Sequence, residues 1–397
     1  MNEVQRVARQ GFRLQGENDL DLAFLSLRTA IKAYFSTYDA VRNRFDSNDS
    51  ELDKRTQDNV GYCEACAETI VHFQHFFELI IKYILRRDHL LLASRVYSYP
   101  TILHKILHNK PLSHEEEQKI QSLEFSDALK TLCALIKTKQ IQSIDDLEFI
   151  LDHKCTFEEL NTLRNRVWHR GSFFLYYTKL DEFVGKFILP VIDVITQMTQ
   201  FKDVSLLWKY KHTKCGIDPI QWICHEYQTT TGSVCSKKVA LLKEIGRAAY
   251  SNPLHDMKIL QQQKREKIAK IEQQIHELEK RGENIPKSLL MSKGLAGMGC
   301  TMANQYDAPY IEKAKKMAKN QAEDGFLTIK NCPVCGVDCL VLYDESDTFQ
   351  DSQTGENVHY NVVHSAKCEC CTFEIDSKLE IAEYQVPIEN YWTFTRL

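Results

Sequence analysis

HFQHFFELIIKYIL, residues 72–85, decides how the first half of the chain is read. Phe73, Phe76, Phe77, Ile80, Ile81 and Ile84 recur every three or four positions, which places them on one side of an α-helix, and no glycine or proline interrupts them. The same spacing extends outward from residue 4 to about 200. It predicts an all-helical domain with helices over 20–45, 60–92, 125–138, 157 to about 177 and 181–199. Between them, SNDSELDKRTQDN (47–59) and HNKPLSHEEEQ (108–118) are polar and rich in turn formers, so exposed loops are expected there.

Past residue 204 the pattern changes. Residues 205–253 form a basic, mixed region whose fold the pattern leaves open, with KCGIDPI and YQTTTGSVCS as turn signals. Residues 257–281 read as a charged helix, with Ile268, Ile271, Ile275 and Leu278 at heptad a and d spacing. Two heptads suit an exposed helix packed by one narrow stripe, with a short coiled coil as the alternative. GLAGMGC (294–300) has three glycines but follows no strand, so a flexible connection is expected rather than a phosphate loop. After Gly325, the runs FLTIK, CLVLYD, NVHYNVV, TFEID and KLEIAEYQV are β-rich and separated by polar turns. The expected fold class is mainly α: a helical bundle over 1–204, a helical middle region through 325, and a small β domain over 326–397.

With 43% hydrophobic and 26% charged residues the composition is that of a globular chain, and no run of apolar residues is long enough to span a membrane. The start, MNEVQRVARQGF, lacks the apolar centre of a signal peptide, so a cytoplasmic location is expected. There the 14 cysteines serve as metal ligands or reduced thiols rather than disulfides. The net charge of −4 conceals a segregation: residues 1–204 carry −3, residues 205–330 carry +8 and residues 331–397 carry −9. A polyanion such as RNA is drawn to the middle and repelled by the last segment. Lys209, Lys211, Lys214, Lys237, Lys238, Lys243 and Arg247, with Trp208, Tyr210 and Trp222 for stacking, are candidates for an RNA-guiding surface; a solvated face accounts for them equally well.

CPVCG (332–336) and CECC (368–371) put two Cys-x-x-Cys turns at the ends of predicted strands. Two thiolates two residues apart can chelate one ion from a tight turn, and a second such turn completes the tetrahedral four-sulfur shell that structural zinc prefers. Cys332, Cys335, Cys368 and Cys371 are the expected ligands, with Cys339 and Cys370 as spares. A closed thiolate shell leaves no position for a reacting water, so a structural Zn²⁺ is expected. A second group, Cys215, Cys224, His225 and Cys235, has ligand residue types at irregular spacing, and a second metal there stays open.

The chemistry is expected on the helix that follows Thr156-Phe-Glu-Glu159, which reads as a capping box. Leu160, Leu163, Val167 and Trp168 take its apolar side. Asn165 and His169, four apart, share another face that the long Arg164 side chain can reach. The run Arg164-Asn-Arg-Val-Trp-His169 resembles the Arg-Asn-x-x-x-His motif of HEPN domains, helical bundles many of which are metal-independent ribonucleases of bacterial defence and toxin systems. The helix around 72–85, with Glu78 and Lys82 one turn apart, looks like the one that packs beside the motif in that family. The resemblance covers about residues 1–200 and gives nothing for the middle region.

The resemblance implies RNA cleavage by the substrate's own 2′-hydroxyl, with no metal needed for catalysis. His169 would be the general acid and base, Arg164 would stabilise charge on the phosphate, and Asn165 would orient His169 or a neighbouring helix. Glu78 is a further candidate from the adjacent helix. Only one copy of the motif is present, since Arg42-Asn43-Arg44 lacks a following histidine, so a homodimer with a composite cleft at the two-fold axis is expected. The tyrosine that one branch of the family carries two residues after the histidine is replaced by Gly171. The acidic C-terminal domain would meet a protein trigger or regulator. The competing reading is a non-catalytic HEPN-like adaptor that binds nucleotides or protein; a DNA-binding zinc ribbon is opposed by its charge.

Overall fold

The computed structural model describes residues 19–45, 49–96, 98–141, 146–170, 173–230, 232, 234–323, 328–350, 357–376, 379, 386 and 388. The chain divides into two compact units, one of Met1–Lys209 and Cys224–Val234, the other of Tyr210–Ile223 and Cys235–Leu397. It is mainly helical, with a small antiparallel sheet near its C-terminal end. Among the described residues no helix is long and apolar enough to cross a membrane.

In the first unit the helix Asp19–Val41 packs along Val60–Asp88, which also meets Phe125–Lys137 and Lys154–Arg170. The Val60–Asp88 helix starts where Asn59 Oδ1 accepts from the Tyr62 amide at 2.9 Å, and it ends with Arg86 and Arg87 in its last turn, where cations suit the helix dipole. Its apolar stripe is the one read from 72–85: Phe73, Phe76, Phe77, Ile80, Ile81 and Ile84 are all buried. Aromatic contacts link three helices. Phe24 meets Phe76 edge-on with centroids 5.6 Å apart, Phe76 lies 5.0 Å from Phe77, and Phe77 meets Phe157 edge-on at 5.0 Å. Each such pair contributes about 0.5–1.5 kcal/mol beyond the area it buries.

Several expectations needed correction here. Of the stretch 47–59 expected to be a loop, Asp49–Thr56 is helical. Leu52 is buried, Arg55 pairs with Glu51 at 2.6 Å, and Asp53 accepts from the Thr178 amide and hydroxyl at 3.0 and 2.7 Å. One apolar anchor and one tertiary carboxylate outweigh the local turn signal. Within 108–118 a short helix, His114–Lys119, begins at a capping box: Glu116 N donates to Ser113 Oγ at 3.3 Å and Ser113 N to Glu116 Oε2 at 2.9 Å.

The motif helix runs Lys154–Arg170, three residues earlier than expected and ending well before 177. Thr156 therefore lies inside the helix and caps nothing; the Phe157 amide already donates to the His153 carbonyl at 3.2 Å. The Lys154–Glu158 pair, 3.2 Å apart and one turn along, favours that earlier start. The helix buries Leu160, Leu163 and Val167, but Trp168 is 64% exposed, so it does not join the apolar side. A helical stretch from Tyr177–Phe183 through Leu189–Gln197 contains a π-turn at Val184–Ile188. A Cβ on Gly185 in that turn would sit 2.2 Å from the Tyr227 ring, so glycine is what lets the ring approach.

In the second unit the helix Met257–Lys280 turns at Gly282, φ +66°, into Lys287–Glu323 and packs against it. Ile271 is buried and Ile268, Ile275 and Leu278 are half-buried, so the heptad positions form the stripe of a helical hairpin. GLAGMGC lies inside the longer helix and is not a flexible connection. The paired helix supplies packing that outweighs the local cost of three glycines. The sheet has strands β3 Thr328–Asn331, β4 Asp338–Gln350, β5 Asn357–Cys368 and β6 Glu374–Asp376 in that order, all antiparallel; β1 Ser94–Arg95 and β2 Gln121–Ser122 make a separate pair. The expected run 378–386 lies outside the described residues except for Leu379 and Val386.

Candidate functional site

Packing of Phe77 on Phe157 brings the helices Val60–Asp88 and Lys154–Arg170 side by side, so the residues next to those rings face each other. The result is an open cleft of about 890 Å³ whose lining includes Gln74, Glu78, Asn161, Arg164 and Asn165. Gln74 Nε2 donates to Glu78 Oε2 at 3.0 Å and to Asn161 Oδ1 at 3.4 Å, and Asn161 Nδ2 donates to Ser126 Oγ at 3.3 Å. Arg164 Nη1 donates to Asn165 Oδ1 at 3.0 Å, so two expected site residues touch directly. Glu78, the third, accepts from Lys82 Nζ at 2.5 Å. The fourth, His169, belongs to the same helix, but its side chain lies outside the described residues, as does Gly171.

Burial pushes the Glu78 carboxyl up, but hydrogen bonds from Lys82 and then Gln74, with the Lys82 charge, hold it below its ordinary range. It is a carboxylate, and it cannot serve as an acid near neutrality. Two residues went unnoticed in the sequence. His75, bonded through Nδ1 to Ser26 Oγ at 2.8 Å, is half-buried with Glu78 and Arg164 among its charged neighbours, and burial first, then nearby cations, lowers its pKa. His72 is likewise lowered by burial, and its buried Nδ1 has no hydrogen-bond partner among the described residues. The signal was present in the opening stretch, where His72, His75 and Glu78 follow one another at three-residue steps along one helix.

The four cysteines read as ligands come together. Sγ atoms of Cys332, Cys335, Cys368 and Cys371 all lie within 4.8 Å of one another, with Cys332–Cys371 at 3.5 Å and Cys335–Cys368 at 3.6 Å. For a metal–sulfur bond of about 2.3 Å the edge of a sulfur tetrahedron is about 3.8 Å, so the set can hold a metal ion. Backbone amides face the sulfurs: Val334 N donates to Cys332 Sγ at 3.4 Å, and Cys370 N and Cys371 N to Cys368 Sγ at 3.4 and 3.5 Å. Hydrogen bonds from neighbouring thiols, that of Cys332 foremost, draw Cys335 down and bring Cys368 to about 5, whereas burial raises Cys332 and Cys371. Among the described residues, Cys215, Cys224, His225 and Cys235 form no comparable group.

Both turns rest on the region whose fold the sequence left open. Lys214 N donates to Val334 O at 2.9 Å and Cys215 N to Pro333 O at 2.8 Å. Gly336 has φ +74°, and a Cβ there would lie 3.0 Å from Lys214 Cγ, so the first turn needs glycine for conformation and for space. The second turn is held from the helix Ser236–Ser251. Glu244, fully buried, takes two hydrogen bonds from Arg247 at 2.7 and 2.8 Å and one from the Glu374 amide at 2.8 Å; Arg247 in turn donates to the Thr372 carbonyl. Four of the residues named for an RNA-guiding surface or a solvated face are thereby engaged within the fold. Lys243 and Trp208 are buried, Arg247 is tied to the turn, and Tyr210 donates to Asp218.

No family model matches the chain, and no curated protein or solved structure is significantly similar to it.

Proposed function

We propose that the chain is a HEPN-type endoribonuclease, a defence or toxin effector that cleaves RNA without a metal in the reaction, and that its four-cysteine site holds a structural zinc ion. The supporting observation is that Arg164 and Asn165 line one open cleft with Gln74 and Glu78 of the neighbouring helix. In this reading His169 takes the proton of a ribose 2′-hydroxyl. The 2′-oxygen bonds to phosphorus, the bond to the 5′-oxygen breaks, and His169 returns the proton to that oxygen as it leaves. Arg164, with its planar donors, would hold the phosphate as charge gathers on it. The Arg164–Asn165 bond ties the guanidinium to a second residue that lines the cleft. Four thiolates fill a zinc coordination shell, so the ion's part is to hold the sheet, not to react.

The test is cleavage of total RNA in excess chelator by the wild type, His169→Ala and Arg164→Ala. The wild type should leave 2′,3′-cyclic phosphate and 5′-hydroxyl ends. Each variant should be slower by about 10²–10⁴-fold. Equal rates for wild type and His169→Ala would defeat the reading and favour a binding role for the bundle.

A further inference from the structure

The cleft holds a row of hydrogen bonds that the cleavage chemistry does not use. Glu78 Oε2 accepts from Gln74 Nε2 at 3.0 Å, the same nitrogen donates to Asn161 Oδ1 at 3.4 Å, and Asn161 Nδ2 donates to Ser126 Oγ at 3.3 Å. The row crosses the helices Val60–Asp88, Lys154–Arg170 and Phe125–Lys137, and all four of its residues line the cleft. Phe77 against Phe157 already docks the first two of these helices, so the polar row is not needed to hold them together.

The row has a fixed direction. An ionised carboxyl can only accept, and against the effect of burial the hydrogen bonds from Lys82 and then Gln74 keep Glu78 in that form. The Gln74 amide must therefore turn its NH₂ group toward Glu78. With both of those hydrogens given away, Oε1 is left as an acceptor. Among the described residues nothing donates to that oxygen, although Gln74 is only 3% exposed. Asn161 Oδ1 takes the second Gln74 hydrogen, so the orientation of its own amide is set as well, and one Nδ2 hydrogen remains beyond the bond to Ser126. Two neighbouring amides thus offer one oriented acceptor and one oriented donor.

Asn161 precedes Arg164 by three positions on the same helix, about 4.5 Å of rise, so the pair stands close to the group that would hold the phosphate. An adjacent donor and acceptor is what a nucleobase edge presents, and in RNA that edge is reached on unpaired bases. The cleft, about 890 Å³, falls within the range of about 300–1,000 Å³ of small-ligand pockets, room enough for a nucleotide. We propose that the two amides read the hydrogen-bonding edge of one unpaired RNA base beside the scissile phosphate. Gln74 Oε1 accepts from the base, Asn161 Nδ2 donates to it, and Glu78 is the positioning residue that sets the direction of both. This rests on the ribonuclease reading of the cleft and names what the cleft recognises.

The experiment is cleavage of an RNA pool of random sequence by the full chain, with both fragment ends sequenced. One position flanking the cut should favour one base by about tenfold or more. Gln74→Met and Asn161→Leu should each flatten that preference. Glu78→Gln, which offers the Gln74 amide a partner in either orientation, should broaden it. As a measurement that needs no variant, an oligonucleotide whose preferred base is replaced by an analogue lacking the exocyclic hydrogen-bonding group should lose about tenfold or more in kcat/KM. Even cutting across all four bases, or a preference unchanged in all three variants, would overturn the base site and leave the ribonuclease standing. No cleavage by the wild type would overturn both.

Discussion

Glu244 ties the helix Ser236–Ser251 to the second cysteine turn by three hydrogen bonds, and it is fully buried, so its charge depends on Arg247 staying in place. Removing one partner of a buried ion pair strands the other, at a cost of about 3–5 kcal/mol. Glu244→Gln is expected to lose stability on that scale in urea unfolding and to release metal faster to a chelator; Glu244→Gln/Arg247→Met should recover part of both. A single variant as stable as the wild type would show that the pair does not hold the turn. In the bundle, His72 and His75 are lowered by burial, below the ordinary value of about 6.5. The unfolded chain therefore takes up these protons first as pH falls. Their contribution to stability is whole above that value and is lost as pH drops through the lower folded values. His75→Gln should flatten the fall in urea midpoint below about pH 6.5 and leave the midpoints above it with their original slope; an unchanged acid limb would assign the loss to other groups. Glu78 acts lower on the scale: its depressed value means its contribution is present above about pH 4.3 and lost as pH falls further.

At the scale of elements, what the sequence made legible depended on how local the cause was. The helix carrying 72–85 is decided by its own apolar stripe and by Asn59 at its start, both visible in the chain. The cysteine turns are equally local, because Cys-x-x-Cys and Gly336 fix the geometry within six residues. Asp49–Thr56 was misread because what holds it, Thr178 against Asp53, comes from 125 residues away. The start of the motif helix was misplaced because a good capping box occurs where the chain is already helical. The role of residues 210–223 and 235–251 could not be read at all: they have no motif, and their work is done through backbone amides and one buried carboxylate against turns more than 100 residues later. In the cleft, Arg164, Asn165 and Glu78 were legible as motif residues, whereas Gln74 and Asn161 enter only once two helices are side by side.

For the whole molecule, the proposed ribonuclease reading would call for a second copy to complete the cleft. Trp168, Phe173, Phe174 and Tyr176, exposed by 64%, 37%, 36% and 50%, follow one another along the motif helix and the chain after it, leaving apolar surface that a partner copy would cover. Trp168→Asp with Tyr176→Asp is expected to convert a dimer to a monomer in light scattering and to reduce RNA cleavage at least tenfold together with it, since about 1.4 kcal/mol is tenfold. A variant that stays dimeric yet no longer binds RNA would instead make these rings a stacking surface. The order of the chain carries a last consequence. The first unit takes back residues Cys224–Val234 after the second has begun at Tyr210, and the single helix Pro219–Thr229 contributes to both. A single cut therefore cannot separate the units cleanly: fragment 1–234 keeps all of the first but carries 210–223 of the second, and fragment 210–397 keeps all of the second but carries 224–234 of the first. In limited digestion, a cut after Ile223 leaves both units incomplete, whereas trimming to 1–234 or to 210–397 keeps one unit whole with a piece of the other attached.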